Sequence, residues 1–462
     1  MIKSKVGLLP LYLELYDIVM PEMRSRLKSF TEIIAGELKK RGIIVFTAPI
    51  CRINKEFSRA IKSFEKENVH SIVTLHLAYS PSLESAEELS KTEIPIIVLD
   101  TTQAYDFGPT QEPSEIMYNH GIHGVQDMCN VLLRMGKNFI IEAGHWDKSD
   151  VLDRVVKQIR AASIISSLRE SRVGAIGGFF KGMGDFYISP ETLKNTIGIE
   201  TINTSTKDII DLLPSPDDEE VKEEIKFDTD NFQINGLKKE VHINTTRVSI
   251  AIRRWIKKEN LSAFTINFLK IDKDSGFPTL PFLEASKAMA RGIGYAGEGD
   301  VLTSALVGAL LSVYPEASFI EMFCPDWKDN RIFLSHMGEM NINLVSGRPR
   351  LIEKRLPFLS VEDTVMAVGK FKPGKAVLIN LAPGKNNSYT LIVSQIAMVG
   401  VKVNDKMVDV ICGWFAPSIT IKDFLAEFSI VGGTHHSVLV YGDVADEIIS
   451  FGEMMGWNVI KI

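Results

Sequence analysis

Short β-branched runs alternate with helical stretches through the first hundred residues of this chain. The runs at 5–9, 43–46, 71–75 and 94–99 are separated by amphipathic segments at 26–41, 57–67 and 82–91. Strands that alternate with helices of this length pair in parallel, because each helix carries the chain back to the same end of the sheet. Such crossovers are right-handed, and ligands collect at the carboxyl ends of the strands. Three strand ends fall there: Leu9-Pro10-Leu11-Tyr12, His76-Leu77-Ala78-Tyr79-Ser80-Pro81 and Asp100-Thr101-Thr102-Gln103. No glycine-rich fingerprint follows the first strand, which removes the best support for a dinucleotide cofactor.

The pattern continues with a helix over 121–135, a strand over 138–142 that ends in Gly144-His145-Trp146, and a helix over 149–168. A strand pattern restarts at Val173-Gly174-Ala175-Ile176, so a boundary is placed near residue 170. The acidic run Asp217-Asp218-Glu219-Glu220 reads as a solvated helix start, where negative charge suits the helix dipole. Helices follow at 245–259, 280–291 and 301–313, with a strand at 263–268 between the first two. From about 316 the pattern shifts to short strands with Gly, Pro and Asn turns, including 375–380 and 389–398, which favours a barrel or sandwich. The predicted fold class is α/β: Rossmann-like parallel-sheet domains over 1–170 and 171–315, and a mostly-β, barrel-like domain over 316–462.

The 462 residues carry 58 acidic and 52 basic side chains, a net charge of −6, which argues against a polyanion partner such as nucleic acid. The opening Met1-Ile2-Lys3-Ser4-Lys5-Val6 soon meets polar residues, unlike a signal peptide, and no apolar run reaches the roughly 20 residues of a membrane span. Cys51, Cys129, Cys324 and Cys412 have no paired spacing, so neither a disulfide framework nor a thiolate zinc site is expected. A reduced, cytoplasmic setting follows as an expectation.

Four segments place polar chemistry in apolar surroundings. In Gly297-Glu298-Gly299-Asp300, glycines let backbone approach closely, Glu298 is displayed on a turn, and Asp300 can cap the following helix. A solvent-exposed Glu in a glycine-rich loop is the plain alternative. Glu321 interrupts the apolar Ser318-Phe319-Ile320 and Met322-Phe323, where a carboxylate is costly unless paired or metal-bound. His336 ends the run Ile332-Phe333-Leu334, a place where a satisfied core histidine is common. His435-His436 follows two glycines and precedes a strand over 437–441; strand neighbours point oppositely, so one of the pair faces a common site. Two carboxylates and two imidazoles without thiolates suit Mn²⁺, Mg²⁺ or Co²⁺ with positions open to substrate.

These segments, in this order, resemble the L-arabinose isomerase family of the L-arabinose/L-fucose isomerase group. The matching elements are Gly297-Glu298-Gly299-Asp300 with Thr303-Ser304-Ala305-Leu306, Ser318-Phe319-Ile320-Glu321, Ser335-His336-Met337, and Gly432-Gly433-Thr434-His435-His436. Weaker matches are Gly144-His145-Trp146, Asn119-His120-Gly121-Ile122-His123-Gly124 and Ala263-Phe264-Thr265-Ile266-Asn267-Phe268. The resemblance implies a metal-dependent aldose–ketose isomerase of the L-arabinose or D-galactose type, working through an enediolate. It makes Glu298, Glu321, His336 and His436 the ligands of a divalent ion, Mn²⁺ foremost, and Glu298 and Glu321 the acid–base pair. His435 becomes the neighbour turned away. His123, from an adjacent subunit of a trimer or hexamer, and Phe268 would contact the sugar. A non-catalytic sugar-binding homologue, or an epimerase using the same ion, is the rival reading. Two departures bear on sugar identity: Leu9-Pro10-Leu11-Tyr12 replaces a Gly-Ser-Gln turn, and Glu321-Met322-Phe323 replaces Glu-Asp-Tyr.

Overall fold

The computed structural model describes residues 3–355, 361, 363–400 and 406–462; Met1 and Ile2 of the opening stretch lie outside them. Internal contacts divide the chain into two units, one of Ile2–Ser166 with Ser450–Gly456 and one of Ser167–Ile449 with Trp457–Ile462.

The first unit is a five-stranded parallel sheet of β1 (Lys5–Leu11), β2 (Ile44–Thr47), β3 (Ser71–His76), β4 (Ile96–Asp100) and β5 (Phe139–Ala143), in the order β2-β1-β3-β4-β5. Both faces are covered, which is why β1 and β3 are almost continuously buried. Val6 and Leu8 of β1 pack with Leu27, Phe30 and Ile34 of the helix Met23–Lys40, while Leu9 and Leu11 join Phe57, Ile61 and Phe64 of the helix Asn54–Lys66. Leu9-Pro10-Leu11 continues the strand, and Tyr12 after it is fully buried.

The second unit begins with β6 (Arg172–Ile176), β7 (Glu200–Thr204), the two-residue β8 (Gln233–Ile234), β9 (Ala263–Ile266) and β10 (Gly294–Gly297). All but β8 form a parallel sheet in the order β10-β9-β6-β7. The acidic run does open a helix: Asp218 caps Glu219–Asn231 through the Glu220 N–H. That helix also sends Glu224 and Asp228 to the buried Lys287 of the helix Phe282–Ala290, an ion-pair cluster no local pattern announced. The helix Lys239–Lys258 starts before residue 245, because the polar Lys239-Glu240 of its first turn hides the apolar period.

Among the described residues nine further strands, mostly antiparallel, belong to the unit: β11 (Ala317–Asp326), β12 (Arg331–Ser335), β13 (Arg350–Lys354), β14 (Thr364–Val368), β15 (Gly374–Pro383), β16 (Tyr389–Val399), β17 (Gly413–Pro417), β18 (His436–Tyr441) and β19 (Asn458–Lys461). β8, β13 and β14 make a small separate sheet. β15, β18, β11, β12, β17 and β16 pair in sequence, and β15–β16 pairing closes them into a six-stranded barrel with β19 parallel on β16. Closure leaves no free edge among the six strands. Ile320, Leu334, Leu378, Ile392, Phe415 and Leu439 form its core with Phe424 and Phe428 of the helix Ile421–Ile430. The side of β11 opposite Ile320 therefore carries Phe319 and Glu321.

β10 lies against the helix Val301–Val313 at a spacing only glycine permits: a Cβ on Gly294 would stand 2.3 Å from the Ser304 carbonyl oxygen and 2.4 Å from the Gly308 nitrogen. Both are backbone atoms, so the contact cannot relax by a rotamer change. Gly294→Ala is expected to destabilise the protein by about 1–3 kcal/mol, read as a lowered urea midpoint at unchanged slope.

Candidate active site

Glu298 leaves β10 with φ of 66°; the other non-glycine residues at positive φ among those described are all asparagines. A glutamate there costs about 1 kcal/mol or more and persists only if its surroundings over-determine it. They do. Its N–H donates to the Ile266 carbonyl at 2.9 Å, its carbonyl accepts from the Phe180 N–H at 2.9 Å, and the next N–H, of Gly299, donates to Thr265 Oγ1 at 3.0 Å. Asp300 caps the helix Val301–Val313 through one carboxylate oxygen, accepting from the Thr303 N–H at 2.8 Å. Its other oxygen meets His436 Nδ1 at 2.9 Å.

Barrel register supplies the rest. Glu321 on β11 lies opposite His436 on β18 and opposite Ser335 on β12, whose next residue is His336. Three neighbouring strands thus converge on one place. His436 Nε2 is 3.0 Å from Glu321 Oε1 and 3.5 Å from Glu298 Oε2, and His336 Nε2 is 3.7 Å from Glu321 Oε1. His336 Nδ1 sits 2.6 Å from Glu339 Oε2, while Glu339 Oε1 accepts from the Tyr295 hydroxyl at 2.8 Å.

His435 is not turned away. β18 begins at His436, so strand alternation does not reach residue 435. Its Nδ1 is 2.7 Å from Asp185 Oδ2, and its Nε2 is 3.5 Å from Glu298 Oε2 and 3.7 Å from Glu321 Oε1. Glu298, Glu321, His435 and His436 each offer one ligand atom within 4.8 Å of all the others, so the tightest group closes on His435 where the resemblance names His336.

In all three histidines a carboxylate faces Nδ1, which fixes the proton on that nitrogen in the neutral ring and turns the Nε2 lone pair toward the two glutamates. His436 Nε2 is buried and, despite its nearness to Glu321, lacks a hydrogen bond of acceptable alignment. A lone pair aimed at carboxylates is repelled unless a proton or a cation lies between, so this donor set fits a divalent ion. The rings have little freedom: Phe186 stacks on His436 at 4.9 Å and 11°, and Phe319 stands edge-on to His336 at 4.7 Å and to His436 at 4.9 Å.

Burial opposes ionisation of Glu298 and of the three histidines, and the mutual attractions outweigh it. The His435 and His436 imidazoles hold the Glu298 carboxyl down at about 2. Asp300, Glu298 and Glu321 raise His436 well above an ordinary histidine, Glu339 and Glu321 raise His336, and Glu298 and Asp185 raise His435.

His123 lies in the first unit, exposed near the start of the helix Ile122–Arg134, with its ring 5.8 Å from that of His120 and 6.5 Å from that of Tyr79. Phe268 follows β9, half-buried, its ring 5.7 Å from that of Phe180. The sequence reading missed Asp185, Phe186, Tyr295 and Glu339 as supports. Glu339 was findable, three residues after His336 in an apolar run. Asp185 was not, since nothing local ties a glycine-rich loop to a histidine 250 residues later.

The family description "L-arabinose isomerase central domain" matches residues 193–314 and "L-arabinose isomerase C-terminal domain" matches 316–458. The L-arabinose isomerase of Geobacillus thermodenitrificans is 22% identical over 457 residues, covering 96% of this chain and 91% of that one. The L-arabinose isomerase of a Nocardioides species is 24% identical over 74% of this chain and 70% of that one. Among solved structures, the periplasmic binding protein component of the arabinose ABC transporter from Shewanella sp. ANA-3 aligns at 13% identity over 67% of this chain and 84% of that one, with a TM-score of 0.18, too low to bear on fold or ligand. Among the described residues no helix is long and apolar enough to cross a membrane.

A raised imidazole stabilises the metal-free protein fully below the unfolded-state value of about 6.5, and that contribution is lost as pH rises through the folded-state value. In chelator-treated protein, the melting-temperature advantage of wild type over His436→Gln is thus largest below about pH 6.5 and narrows as the pH rises through the raised folded-state value. An advantage that widens with pH would show His436 to be held neutral.

Proposed function

The chain is a divergent member of the L-arabinose isomerase family and an aldose–ketose isomerase, and we propose that it converts a pentose or hexose using a bound divalent ion. L-Arabinose to L-ribulose and D-galactose to D-tagatose are the model conversions. Mn²⁺ is the first choice of ion, with Co²⁺ and Mg²⁺ behind it. The observation that carries this reading is the convergence of three carboxylate-fixed imidazoles on Glu298 and Glu321. Glu298, Glu321, His336 and His436 would hold the ion.

Isomerisation moves one proton from C2 to C1 and another between O1 and O2. When bound, the ion stabilises the negative charge that builds on those oxygens. Glu298 and Glu321 share the proton work: one carboxylate takes the weakly acidic C2 proton and returns it to C1, and its partner carries the hydroxyl proton between the oxygens. Asp300 and Glu339 keep His436 and His336 oriented meanwhile, and Phe319 closes one side of the group against water. Phe268 packs against the sugar, and His123 reaches it from a neighbouring subunit of a trimer or of a hexamer of two trimers.

Chelation should abolish ketose formation across a panel of aldopentoses, aldohexoses and deoxysugars, and Mn²⁺ or Co²⁺ should restore it for one of them. Full turnover in metal-free protein would sink the metal reading. Glu321→Gln should lower kcat by roughly 10²–10⁴ with little change in KM. For the shared site, inactive His123→Ala and inactive Glu298→Ala proteins should regain activity when their subunits exchange. A mixture that stays dead despite proven exchange rules the sharing out.

A further inference from the structure

His435 has the geometry of a ligand, although neither strand alternation nor the resemblance assigns it that part. With metal–oxygen and metal–nitrogen bonds of about 2.0–2.2 Å, two ligands of one ion stand roughly 3 Å apart at right angles and a little over 4 Å apart when opposite. The distances around His435 and His436 fall inside that interval: His436 Nε2 is 3.0 Å from the Glu321 oxygen and 3.5 Å from the Glu298 oxygen, and His435 Nε2 is 3.7 Å and 3.5 Å from the same two. One oxygen, Asp185 Oδ2, fixes His435 twice, accepting its backbone N–H at 3.0 Å and meeting Nδ1 at 2.7 Å. That leaves Nε2 as the free donor, aimed at the glutamates. The His436 ring at 4.3 Å and the Phe186 ring at 5.6 Å limit where the imidazole can turn. Asp185 and Phe186 are consecutive, so one loop holds both histidines.

We infer that His435 is a ligand of the ion in the resting enzyme and that Asp185 is its positioning residue, an assignment that rests on the metal reading above. The ligand atoms of Glu298, Glu321, His435 and His436 lie within 4.8 Å of one another, and an ion that also drew in His336 would keep one of six positions, whereas two neighbouring sugar oxygens need two. His435 is the outer member: its side chain is 37% exposed, against 0% for His436 and 4% for His336. It is therefore the ligand of the sugar-free state, standing where the sugar arrives.

The test titrates Mn²⁺ alone into chelator-stripped wild type, His435→Ala, Asp185→Asn and His436→Ala. Affinity is read from the EPR signal of free Mn²⁺, and bound nitrogens from the ¹⁴N modulation of the pulsed signal. His435→Ala should bind roughly 10–100-fold more weakly and lose one imidazole's modulation, and the isosteric Asp185→Asn should bind more weakly with its modulation retained. Wild-type affinity and full modulation in His435→Ala overturn the ligand assignment while leaving the metal site standing. An Asp185→Asn protein indistinguishable from wild type removes Asp185 from its role. If wild type takes up no Mn²⁺, the metal reading falls, and this assignment with it.

Discussion

Glu298 and Glu321 bring two like charges into a largely buried space, and everything else at the site answers that repulsion. Burial alone would drive such carboxyls to take up protons. Imidazoles on three sides reverse this at Glu298, and each is itself anchored by a further carboxylate: Asp185, Asp300 or Glu339. The outer carboxylates make the rings better bases and fix which nitrogen faces inward. The outcome is a concentration of negative charge around a few inward lone pairs, an arrangement suited to a divalent cation and poorly suited to an apolar ligand.

The fold makes this convergence rigid by joining two kinds of sheet. The barrel fixes Glu321 and His436 by hydrogen-bonded register, so neither can slip by a residue without turning to the opposite face, and His336 follows directly on the paired Ser335. Glu298 and Asp300 arrive instead from the end of a parallel strand, where ligands gather in such sheets. The link is the segment Gly297-Glu298-Gly299-Asp300, in which Glu298 takes up a strained backbone so that two successive turns face opposite partners. Gly299 is required there: a Cβ would stand 2.4 Å from the Gly178 carbonyl oxygen.

A site built on mutual electrostatic dependence tolerates substitution unevenly. Loss of one member leaves a buried charge unpaired, whereas apolar neighbours exchange within volume limits at little cost. The first-strand turn lies outside that dependence: Leu9-Pro10-Leu11 simply extends β1, and Tyr12 is buried.

Strand–helix alternation was legible residue by residue because a parallel sheet covered on both faces needs apolar runs of one length and amphipathic helices between them. β4 starts two residues later than its apolar run, at Ile96 rather than Ile94, because Pro95 has no N–H to give the ladder. The β-rich character of the last third was equally legible from turn residues, but not that six strands close into a barrel, since closure depends on β15–β16 and β11–β18 pairings that local pattern does not encode. Glu298, Glu321, His336 and His436 stood out because each sets polar chemistry in apolar surroundings, a cost that must be met elsewhere in the molecule. Of what met it, Glu339 lay within reach of the sequence, three residues after His336, while Asp185 and the second role of Asp300 only the tertiary structure decided. So too with His435, whose direction depended on where a strand begins and on a carboxylate 250 residues away, because hydrogen-bond partners are chosen in space and periodicity acts only along the chain.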